Sequence, residues 1–359
     1  MMKYINNIEK PELLNYAKNP PFGKVHIPVV LWGDVSKKEP IPNKMYIDPL
    51  KNFNISPFSS ALHYGQSIFE GLKAYQIKDG KIGIFRLNDH AKRFVRSANI
   101  MSMLELSDGF FTETLEKYVS ICRNYIPKED GHSLYLRPLL FAADPIIKVR
   151  SSDTFKYVIM SSIVGDYFEN SVGQNKSKVL VSKKFSRAFP GGTGEAKTAA
   201  NYALSLSALD YAMKLDYQQV LYLDALTHTH FEELGGMNFF WVKNGALYTP
   251  KLNGQILHGV TRASVLEIAA SLGMKVYETE LYLTELLQGH QDKTITEVFA
   301  TGTAALVTPL GEIGVESDHG EVKKLIFEET KIADSIKKVL MQAQSGQSEF
   351  SKRWLTIIQ

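Results

Sequence analysis

The chain has 359 residues, of which 44% are hydrophobic and 22% charged, and its formal net charge is +3. This length predicts two domains, and the composition is that of a globular protein. The basic residues are spread along the chain and Cys122 is the single cysteine, which disfavours a nucleic-acid-binding surface and excludes an intramolecular disulfide framework or a cysteine-based zinc site.

Hairpins and helices alternate in the first half of the chain. The turn Asp79-Gly80 between two alternating apolar stretches predicts a β-hairpin. An amphipathic helix is predicted in RLNDHAKRFVRSANIMSM, with Asn88 as its N-cap, and another in FTETLEKYVSICRNYI, which buries Cys122 and ends by Pro127. HSLYLRPLLFAA and FKYVIMSSIVG are predicted buried strands, and the polar DYFENSVGQNKS is the predicted interdomain connection.

The second half continues with mixed strands and helices. A helix is predicted over Thr198–Leu215, followed by the strands QQVLYLD and MNFFWV, a hairpin turn at Asn244-Gly245, and helices in RASVLEIAASLG and EVKKLIFEETKIADSIKKVLMQAQ. Because no regular β-α-β order repeats, the pattern predicts an α+β fold rather than a doubly wound sheet. We expect a small N-terminal α/β domain over 1–172, a connection over 173–186 and a large C-terminal domain over 187–359.

The stretch GGTGEAKTAANY, residues 191–202, places Lys197 between glycines and an alanine-rich helix. A phosphate-binding P-loop needs glycine directly before its lysine, and Ala196 stands there. A merely solvated lysine at the positive end of a helix is disfavoured by about 0.3–1 kcal/mol. The same position lowers the pKa of an amine, and a neutral amine can form an imine. A solvated and a covalent role for Lys197 both remain open on this argument.

Six stretches in order resemble the branched-chain aminotransferases, which are fold-type IV pyridoxal-phosphate enzymes: HYGQSIFEGLKAY, SLYLRPLLF, GGTGEAKTAANY, EELGGMNFFWV, ILHGVTRASVLE and EVFATGTAALVTPL. The likeness runs from about Pro21 to the C-terminal helix. It implies the D-amino-acid aminotransferase-like architecture of two domains, with a smaller N-terminal and a larger C-terminal domain. It also implies ping-pong transamination between Leu, Ile or Val and 2-oxoglutarate, through an internal aldimine at Lys197.

The resemblance assigns cofactor roles by position. Lys197 is implied to be the Schiff-base lysine and proton shuttle, and Glu233 to pair with the pyridine nitrogen of pyridoxal 5'-phosphate. The neighbouring Glu232 is expected to be a solvated turn residue. The other implied cofactor-binding residues are Arg93 for the phosphate, Arg187, Tyr202 for the phenolic oxygen, Gly259, Val260 and Thr261 before a helix, and Thr303.

A dual substrate pocket is implied in the same way. It must accept an aliphatic side chain and also that of glutamate. Arg137 is expected to pair with the glutamate side chain, while the backbone amide of Ala304 takes the α-carboxylate. The pocket residues implied by the resemblance are Tyr64, Phe69, Tyr135, Arg137 and Ala304. The family completes this pocket across a homodimer interface, so a homodimer with shared active sites is expected.

The sequence departs from family patterns at two places. Mammalian members carry a Cys-x-x-Cys redox pair where this chain has Ala305 and Thr308, so no thiol switch can operate there. Gly236 stands where some relatives have threonine, which removes a side-chain contact to the substrate.

Other functions are weighed against the aminotransferase. D-amino-acid aminotransferase and aminodeoxychorismate lyase share the fold but are usually shorter, and a P-loop nucleotide-binding protein would need glycine at Ala196. The alternation of His228 and His230 suggests a metal ligand pair, but a polar loop between strands is favoured, so no metal is expected. Trp354, near the end, is expected to pack rather than to act in catalysis.

The segments that direct proteins to membranes have a recognisable pattern. The stretch MMKYINNIEKPELLNY mixes acidic and basic residues and does not resemble a secretory signal. No apolar run approaches the ~18 residues of a membrane-spanning helix. We therefore expect a cytoplasmic protein.

Overall fold

The structure, a computed structural model, describes residues 2–8, 14, 16, 20–165 and 176–358. Internal contacts divide the chain into two units, each made of separate segments. The first unit consists of Met1–Asn170, Ala196–Ala200 and Met341–Gln359, and the second of Ser171–Glu195 and Asn201–Leu340.

Strands and short helices make up the part of the chain before residue 166. The strands are β1 (Lys3–Asn6), β2 (Val25–His26), β3 (Val29–Ser36), β4 (Lys44–Pro49), β5 (Ser67–Phe69), β6 (Leu72–Gln76), β7 (Ile82–Phe85), β8 (Ser133–Ala142) and β9 (Thr154–Val164). The helices are α1 (Ser60–Tyr64), α2 (Leu87–Ile100) and α3 (Asp108–Ile121), with 3-10 turns at Lys78–Gly80 and Arg123–Tyr125.

The part after residue 175 has a similar mixture. Its strands are β10 (Ser177–Val181), β11 (Gln219–Leu223), β12 (Phe231–Leu234), β13 (Asn238–Lys243), β14 (Ala246–Thr249), β15 (Val276–Glu278), β16 (Ile295–Gly302), β17 (Leu306–Glu316), β18 (Val322–Ile326) and β19 (Leu355–Ile358). Its helices are α4 (Ala199–Lys214), α5 (Val260–Ser271), α6 (Leu283–Gln291), α7 (Lys331–Gln344) and α8 (Ser351–Trp354). The fold is therefore α+β, as the sequence predicted.

The first unit is built on one large sheet. Its strand order is β1-β4-β3-β9-β8-β6-β7-β19, with β2 paired to β9 and β5 to β8. The long hairpin of β8 and β9 is antiparallel from Ser133↔Val164 to Ala142↔Phe155, and both strands are largely buried. The apolar faces of α2 and α3 complete the core, in which Cys122 is fully buried. The predictions of two buried strands and a buried cysteine are confirmed.

The second unit contains a sheet that closes on itself. Its order is β12-β11-β10-β17-β16-β13-β14-β15, β18 pairs with β17, and β12 also pairs with β13. Side chains from several of these strands, among them Phe231, Trp241 and Ile313, form its buried core. This arrangement places the short strand β12 between β11 and β13, and every residue of β12 is buried.

Both predicted hairpins are present. Strands β6 and β7 pair antiparallel and are joined by the 3-10 turn Lys78–Gly80. Between β13 and β14, Asn244 and Gly245 have φ values of 50° and 75°. Two successive positive φ angles define a type I′ turn, which suits this residue pair.

The predicted start of α2 was wrong. Asn88 lies inside the helix, and the N-cap is Arg86, with a positive φ of 48°. Arg86 donates its backbone N–H to the Trp354 carbonyl at 2.6 Å, and its guanidinium lies 4.8 Å from the Trp354 ring centroid. A tertiary contact with the distant C-terminal segment therefore sets the helix start, and local capping preferences could not reveal it. Trp354 packs, as predicted.

The predicted closing helix over residues 321–344 was too long. Val322–Ile326 is instead strand β18, which pairs with β17 from Glu316↔Val322 to Glu312↔Ile326. The helix begins only at Lys331. Pairing with the neighbouring strand overrides the helical pattern here, because the backbone groups of β18 find their partners across the sheet.

The predicted interdomain connection falls mainly outside the described residues. Of DYFENSVGQNKS, residues 166–175 lie outside them, and Ser177 already begins β10. The boundaries predicted at 172 and 187 stay a prediction.

Among the described residues, every helix is too short or too polar to cross a bilayer.

A buried carboxylate caps α7, which generates a stability prediction. Glu297 accepts the backbone N–H of Ile332 at 2.9 Å and that of Ala333 at 3.0 Å, and it is 2% exposed. We expect Glu297→Ala to lower the free energy of unfolding by about 1–3 kcal/mol, because two buried donors lose their acceptor. Urea unfolding measures the change. The exposed Glu329→Ala is the control, and equal effects of the two variants would contradict the capping role.

Candidate active site

The backbone around Lys197 is fixed on both sides within the first unit. The Phe69 N–H of β5 donates to the Lys197 carbonyl at 3.0 Å, and the Lys197 N–H donates to Ser97 Oγ of α2 at 2.9 Å. Thr198 Oγ1 donates to the Ser67 carbonyl at 2.7 Å. Lys197 thus precedes α4 by two residues, and its side chain starts from a rigidly held backbone.

Three of the predicted substrate residues lie together near Lys197. The ring of Phe69 has Lys197 Nζ at 5.0 Å and Arg137 Cζ at 4.6 Å from its centroid. Arg137 Nη2 donates to the Tyr135 hydroxyl at 2.9 Å. A Cβ at Gly71 would collide with that hydroxyl, so the glycine is required for the position of Tyr135. Aromatic surface and a cation therefore occur side by side.

The remaining predicted substrate residues lie at other places in the fold. Tyr64 is the last residue of α1, is exposed, and has its ring next to that of His63. Ala304 follows Thr303 in the short loop between β16 and β17, in the second unit. The roles of these residues stay predictions.

Arg93 of α2 belongs to a buried polar cluster. Its Nε and Nη2 donate to the two carboxylate oxygens of Glu70 at 2.6 and 2.8 Å, and His90 Nδ1 lies 2.7 Å from Glu70 Oε2. Burial alone would raise the pKa of Glu70, but Arg93 and His90 bring it well below its ordinary value. Burial lowers the pKa of His90, against the opposing effect of Glu70. The cluster therefore contains a carboxylate, a guanidinium and a neutral imidazole.

Glu233 lies on β12 of the second unit with three donors around its carboxylate. Its Oε1 accepts the Leu257 N–H at 3.0 Å and lies 3.0 Å from Arg187 Nη2. Its Oε2 accepts from Asn238 Nδ2 at 2.7 Å. Such donors favour the ionised carboxylate. Arg187 also donates to the Gln255 carbonyl, which fixes the guanidinium in turn.

The expectation that Glu232 is a solvated turn residue was wrong. It is 1% exposed, because β12 is covered on both faces, and neither carboxylate oxygen has a hydrogen-bond partner among the described residues. Burial raises the pKa of Glu232 to about 7; Arg187 opposes this shift, whereas Glu233 and Asp224 add to it. Two adjacent glutamates of one strand therefore have opposite environments.

The N-terminus of α5 has the features of an anion site. Its N-cap is Gly259, no side chain caps it, and its first turn contains no acidic residue. The first N–H groups of a helix lack partners within the helix, so those of Val260 and Thr261 can bind an anion. A Cβ at position 259 would collide with the Asn238 amide, so the chain needs glycine there.

The glycine-rich stretch before Lys197 is closely packed. A Cβ at Gly194 would collide with the Gln255 backbone. Thr193 and Asn201 are joined by two hydrogen bonds of 2.7 and 2.8 Å. On α4, the ring of Tyr202 lies beside Gly236, where a Cβ would be 3.8 Å away.

The two histidines of THTHFEE lie in the loop before β12, as favoured from the sequence. His228 has a positive φ of 52°, and His230 Nδ1 lies 3.3 Å from Asp224. The described residues contain no cluster of three His, Cys, Asp or Glu side chains that could hold a metal ion.

The positions of the mammalian cysteine pair are joined by a hydrogen bond. Thr308 Oγ1 donates to the Ala305 carbonyl at 3.0 Å, and both residues are buried. Residues 305 and 308 are thus joined by a hydrogen bond, at the two positions that carry cysteines in the mammalian proteins.

Sequence reasoning missed several residues of these clusters. Glu70, His90, Ser97 and Asn238 were not singled out. Glu70, Ser97 and Asn238 each bond to a predicted site residue, and His90 bonds to Glu70. The spacing of His90, Arg93 and Ser97 on one face of a helix was the available signal. Glu70 directly follows Phe69, but nothing local shows that its carboxylate meets α2.

Known aminotransferases are similar to this chain in sequence and in fold. The family model for amino-transferase class IV matches residues 67–313. The branched-chain-amino-acid transaminase 1 of Bacillus subtilis is 42% identical over 296 residues, which are 82% of this chain and 81% of that protein.

Two crystal structures of the T.th. branched-chain amino acid aminotransferase resemble the fold. The one with pyridoxamine 5'-phosphate has a TM-score of 0.72 and 27% identity, covering 92% of this chain and 98% of that one. The one with N-(5'-phosphopyridoxyl)-L-glutamate has a TM-score of 0.68 and 28% identity, covering 87% and 96%.

The raised pKa of Glu232 predicts how stability depends on pH. A carboxyl whose pKa is higher in the folded state than its ordinary 4.5 makes folding less favourable as the pH rises between the two values. The Glu232→Gln side chain stays neutral at every pH. The difference in free energy of unfolding between this variant and the wild type should therefore shift in favour of the variant by up to about 3 kcal/mol between pH 5 and pH 8. Urea unfolding at both pH values measures this gain. Glu321→Gln, at an exposed position, is the control, and a pH-independent difference for Glu232→Gln would contradict the prediction.

Proposed function

The chain belongs to the amino-transferase class IV family, and we propose that it transfers the amino group of leucine, isoleucine or valine to 2-oxoglutarate. Its cofactor is pyridoxal 5'-phosphate, which the fold-type IV aminotransferases share. The names of the relatives support the branched-chain substrates, and the glutamate adduct in one related structure supports glutamate as the partner.

One observation carries the proposal: the backbone of Lys197 is fixed by β5 and α2 beside an aromatic ring and a second cation. A surface lysine would need no such attachment. A lysine that must form and release a covalent bond in one geometry does need it, because misplacement of the reacting atom lowers the rate steeply.

The residues of the chain fit the cofactor. The uncapped N-terminus of α5 suits a phosphate, for which we propose Gly259, Val260 and Thr261, together with Thr303. Arg93 is a buried cation of the kind that pairs with phosphate. Glu233, held by three donors, suits a pyridine nitrogen that must stay protonated.

When bound, pyridoxal phosphate supplies an aldehyde for the amino group and a ring that accepts electrons. Lys197 would provide the amine that holds the cofactor aldehyde and the group that moves the proton as general base and acid. Glu233 would pair with the protonated pyridine nitrogen, and Arg187, 3.0 Å from the Glu233 carboxylate, holds Glu233 in place. Tyr202 would offer its hydroxyl group to the phenolic oxygen of the cofactor.

We assign substrate recognition to the cluster around Arg137. The rings of Phe69 and Tyr135 offer apolar surface to an aliphatic side chain, and Arg137 offers a charge to glutamate. Arg137 Nε is buried and has no hydrogen-bond partner among the described residues, so a donor is available for a carboxylate. Tyr64 is proposed to complete the pocket, and the Ala304 N–H to bind the α-carboxylate.

The proposal includes a homodimer in the cytoplasm. Helix α4 leaves Leu204, Leu206 and Met213 exposed at 57%, 60% and 62%, which supports an interface between copies of the chain. The single buried Cys122 agrees with a reducing compartment. Light scattering on a sizing column tests the dimer, and a monomer at micromolar concentration would refute it.

An amino-acid panel with 2-oxoglutarate as acceptor tests the function itself. Leucine, isoleucine and valine should be converted far faster than D-alanine or L-aspartate. Faster conversion of D-alanine would instead identify a D-amino-acid aminotransferase.

Replacement of Lys197 by alanine should abolish turnover. The variant lacks both the covalent link and the proton shuttle, so transamination should fall by about 10³-fold or more. Borohydride should no longer fix the cofactor to the chain, as judged by peptide mass spectrometry. Lys214→Ala, at an exposed position of α4, the helix that follows Lys197, is the control. Cofactor fixed to another lysine in the Lys197 variant would refute the assignment.

Replacement of Arg137 by methionine should separate the two half-reactions. Glutamate brings a second carboxylate that loses its partner, which costs about 2–4 kcal/mol. Leucine never uses that charge, so its half-reaction should slow by less than tenfold on the same argument. Single-turnover absorbance of the cofactor follows each substrate separately. Arg96→Met, at an exposed position, is the control, and equal damage to both substrates would refute the role of Arg137.

A further inference from the structure

Helix α2 carries a stripe of polar residues on its buried face. His90, Arg93 and Ser97 are three and four residues apart, which places them on one side of the helix. Their exposed fractions are 1%, 6% and 0%. Buried polar groups persist where they are hydrogen-bonded. Ser97 meets this need with the Lys197 N–H, while His90 and Arg93 meet it with a carboxylate from outside the helix.

The residue that supplies this carboxylate is Glu70, in the connection between β5 and β6. Its carboxylate is fully buried and receives Arg93 Nε at 2.6 Å, Arg93 Nη2 at 2.8 Å, His90 Nδ1 at 2.7 Å and the Gly71 N–H at 3.1 Å. Its backbone N–H donates to the Pro138 carbonyl of β8 at 2.9 Å. Both ends of Glu70 are therefore fixed, and its carboxylate is a rigid acceptor.

The bidentate contact fixes the plane of the Arg93 guanidinium. Two parallel N–H···O bonds orient the planar group, which one bond would leave free to turn. Because an ionised carboxylate only accepts, His90 must carry its hydrogen on Nδ1 and donate it to Glu70. The imidazole thereby holds the carboxylate without adding a second positive charge.

Stability alone does not account for such a pair. A buried ion pair is on average no more stabilising than an apolar pair of the same volume, because both charges lose water. Glu70 also directly follows Phe69, whose backbone N–H donates to the Lys197 carbonyl. Glu70 thus belongs to the same short stretch of chain that fixes the lysine.

We propose that Glu70, supported by His90, is a positioning residue that holds the Arg93 guanidinium in the one orientation that binds the cofactor phosphate. The inference rests on the proposed function, in which Arg93 binds that phosphate. It predicts that removing Glu70 weakens ligands that carry the phosphate and leaves others unaffected.

The test compares two ligands on folded protein. Dissociation constants for pyridoxal 5'-phosphate and for pyridoxal, which lacks the phosphate, are measured by absorbance for the wild type, Glu70→Gln, Arg93→Met and the double variant. Glu70→Gln should weaken pyridoxal phosphate about tenfold or more and pyridoxal less than about threefold. In the double variant, Glu70→Gln should not weaken the binding of pyridoxal phosphate beyond the effect of Arg93→Met alone. Asp48→Asn, which disrupts another buried carboxylate cluster of the first unit, should leave the ratio of the two constants unchanged.

Each result has a definite meaning. Equal weakening of both ligands by Glu70→Gln would overturn the proposal, since Glu70 would then serve the fold alone. Weakening by Arg93→Met without any by Glu70→Gln would overturn it as well, while the proposed function stands. No effect of Arg93→Met on pyridoxal phosphate would remove Arg93 from the phosphate site and with it the premise of the inference.

A second pair of variants keeps the test decisive where Glu70→Gln does not fold. His90→Leu removes one donor to Glu70 without leaving a charge unpaired, and should weaken pyridoxal phosphate about threefold or more. His90→Asn places an N–H near the position of Nδ1 and should restore binding to within about twofold. Identical binding by His90→Leu and the wild type would overturn the role of this support.

Discussion

The hydrogen bonds that attach the Lys197 backbone to β5 and α2 are the constraint on which the first unit's chemistry depends. Two main-chain groups of one residue are held by two different elements, and Thr198 adds a third attachment. A long flexible side chain has a defined starting point only when its backbone is held in this way. The neighbouring Phe69 ring and the polar stripe of α2 belong to the same elements, so they share this fixed frame.

In the second unit, one short strand shows how surroundings determine the ionisation of chemically identical groups. Glu233 is surrounded by an amide, a backbone N–H and a guanidinium, whereas Glu232 has no hydrogen-bond partner among the described residues. Desolvation opposes charge on both, but only Glu233 has donors to compensate. Two adjacent carboxyl groups of one strand therefore have unlike surroundings, and burial raises the pKa of Glu232 to about 7.

The sequence predicted the features that depend on short stretches. The turn Asn244-Gly245 and the long strands β8 and β9 were visible in local pattern and residue type. Prediction from the sequence failed where a contact with a distant segment determines the local structure. Trp354 sets the start of α2, and pairing with β17 turns Val322–Ile326 into a strand. The candidate site follows the same rule: Lys197 stood out because of its glycines, while Glu70 acts through a contact with α2 that no local pattern contains.

The position of β19 has a consequence for synthesis of the protein. Residues 355–358 pair with β7, at residues 82–85, across almost the whole length of the chain. β7 therefore emerges from the ribosome long before its outer partner exists. During that interval one edge of β7 lacks its final neighbour, and an exposed strand edge can pair with other chains. The sheet of the first unit therefore cannot be completed until residues 355–358 have been synthesised.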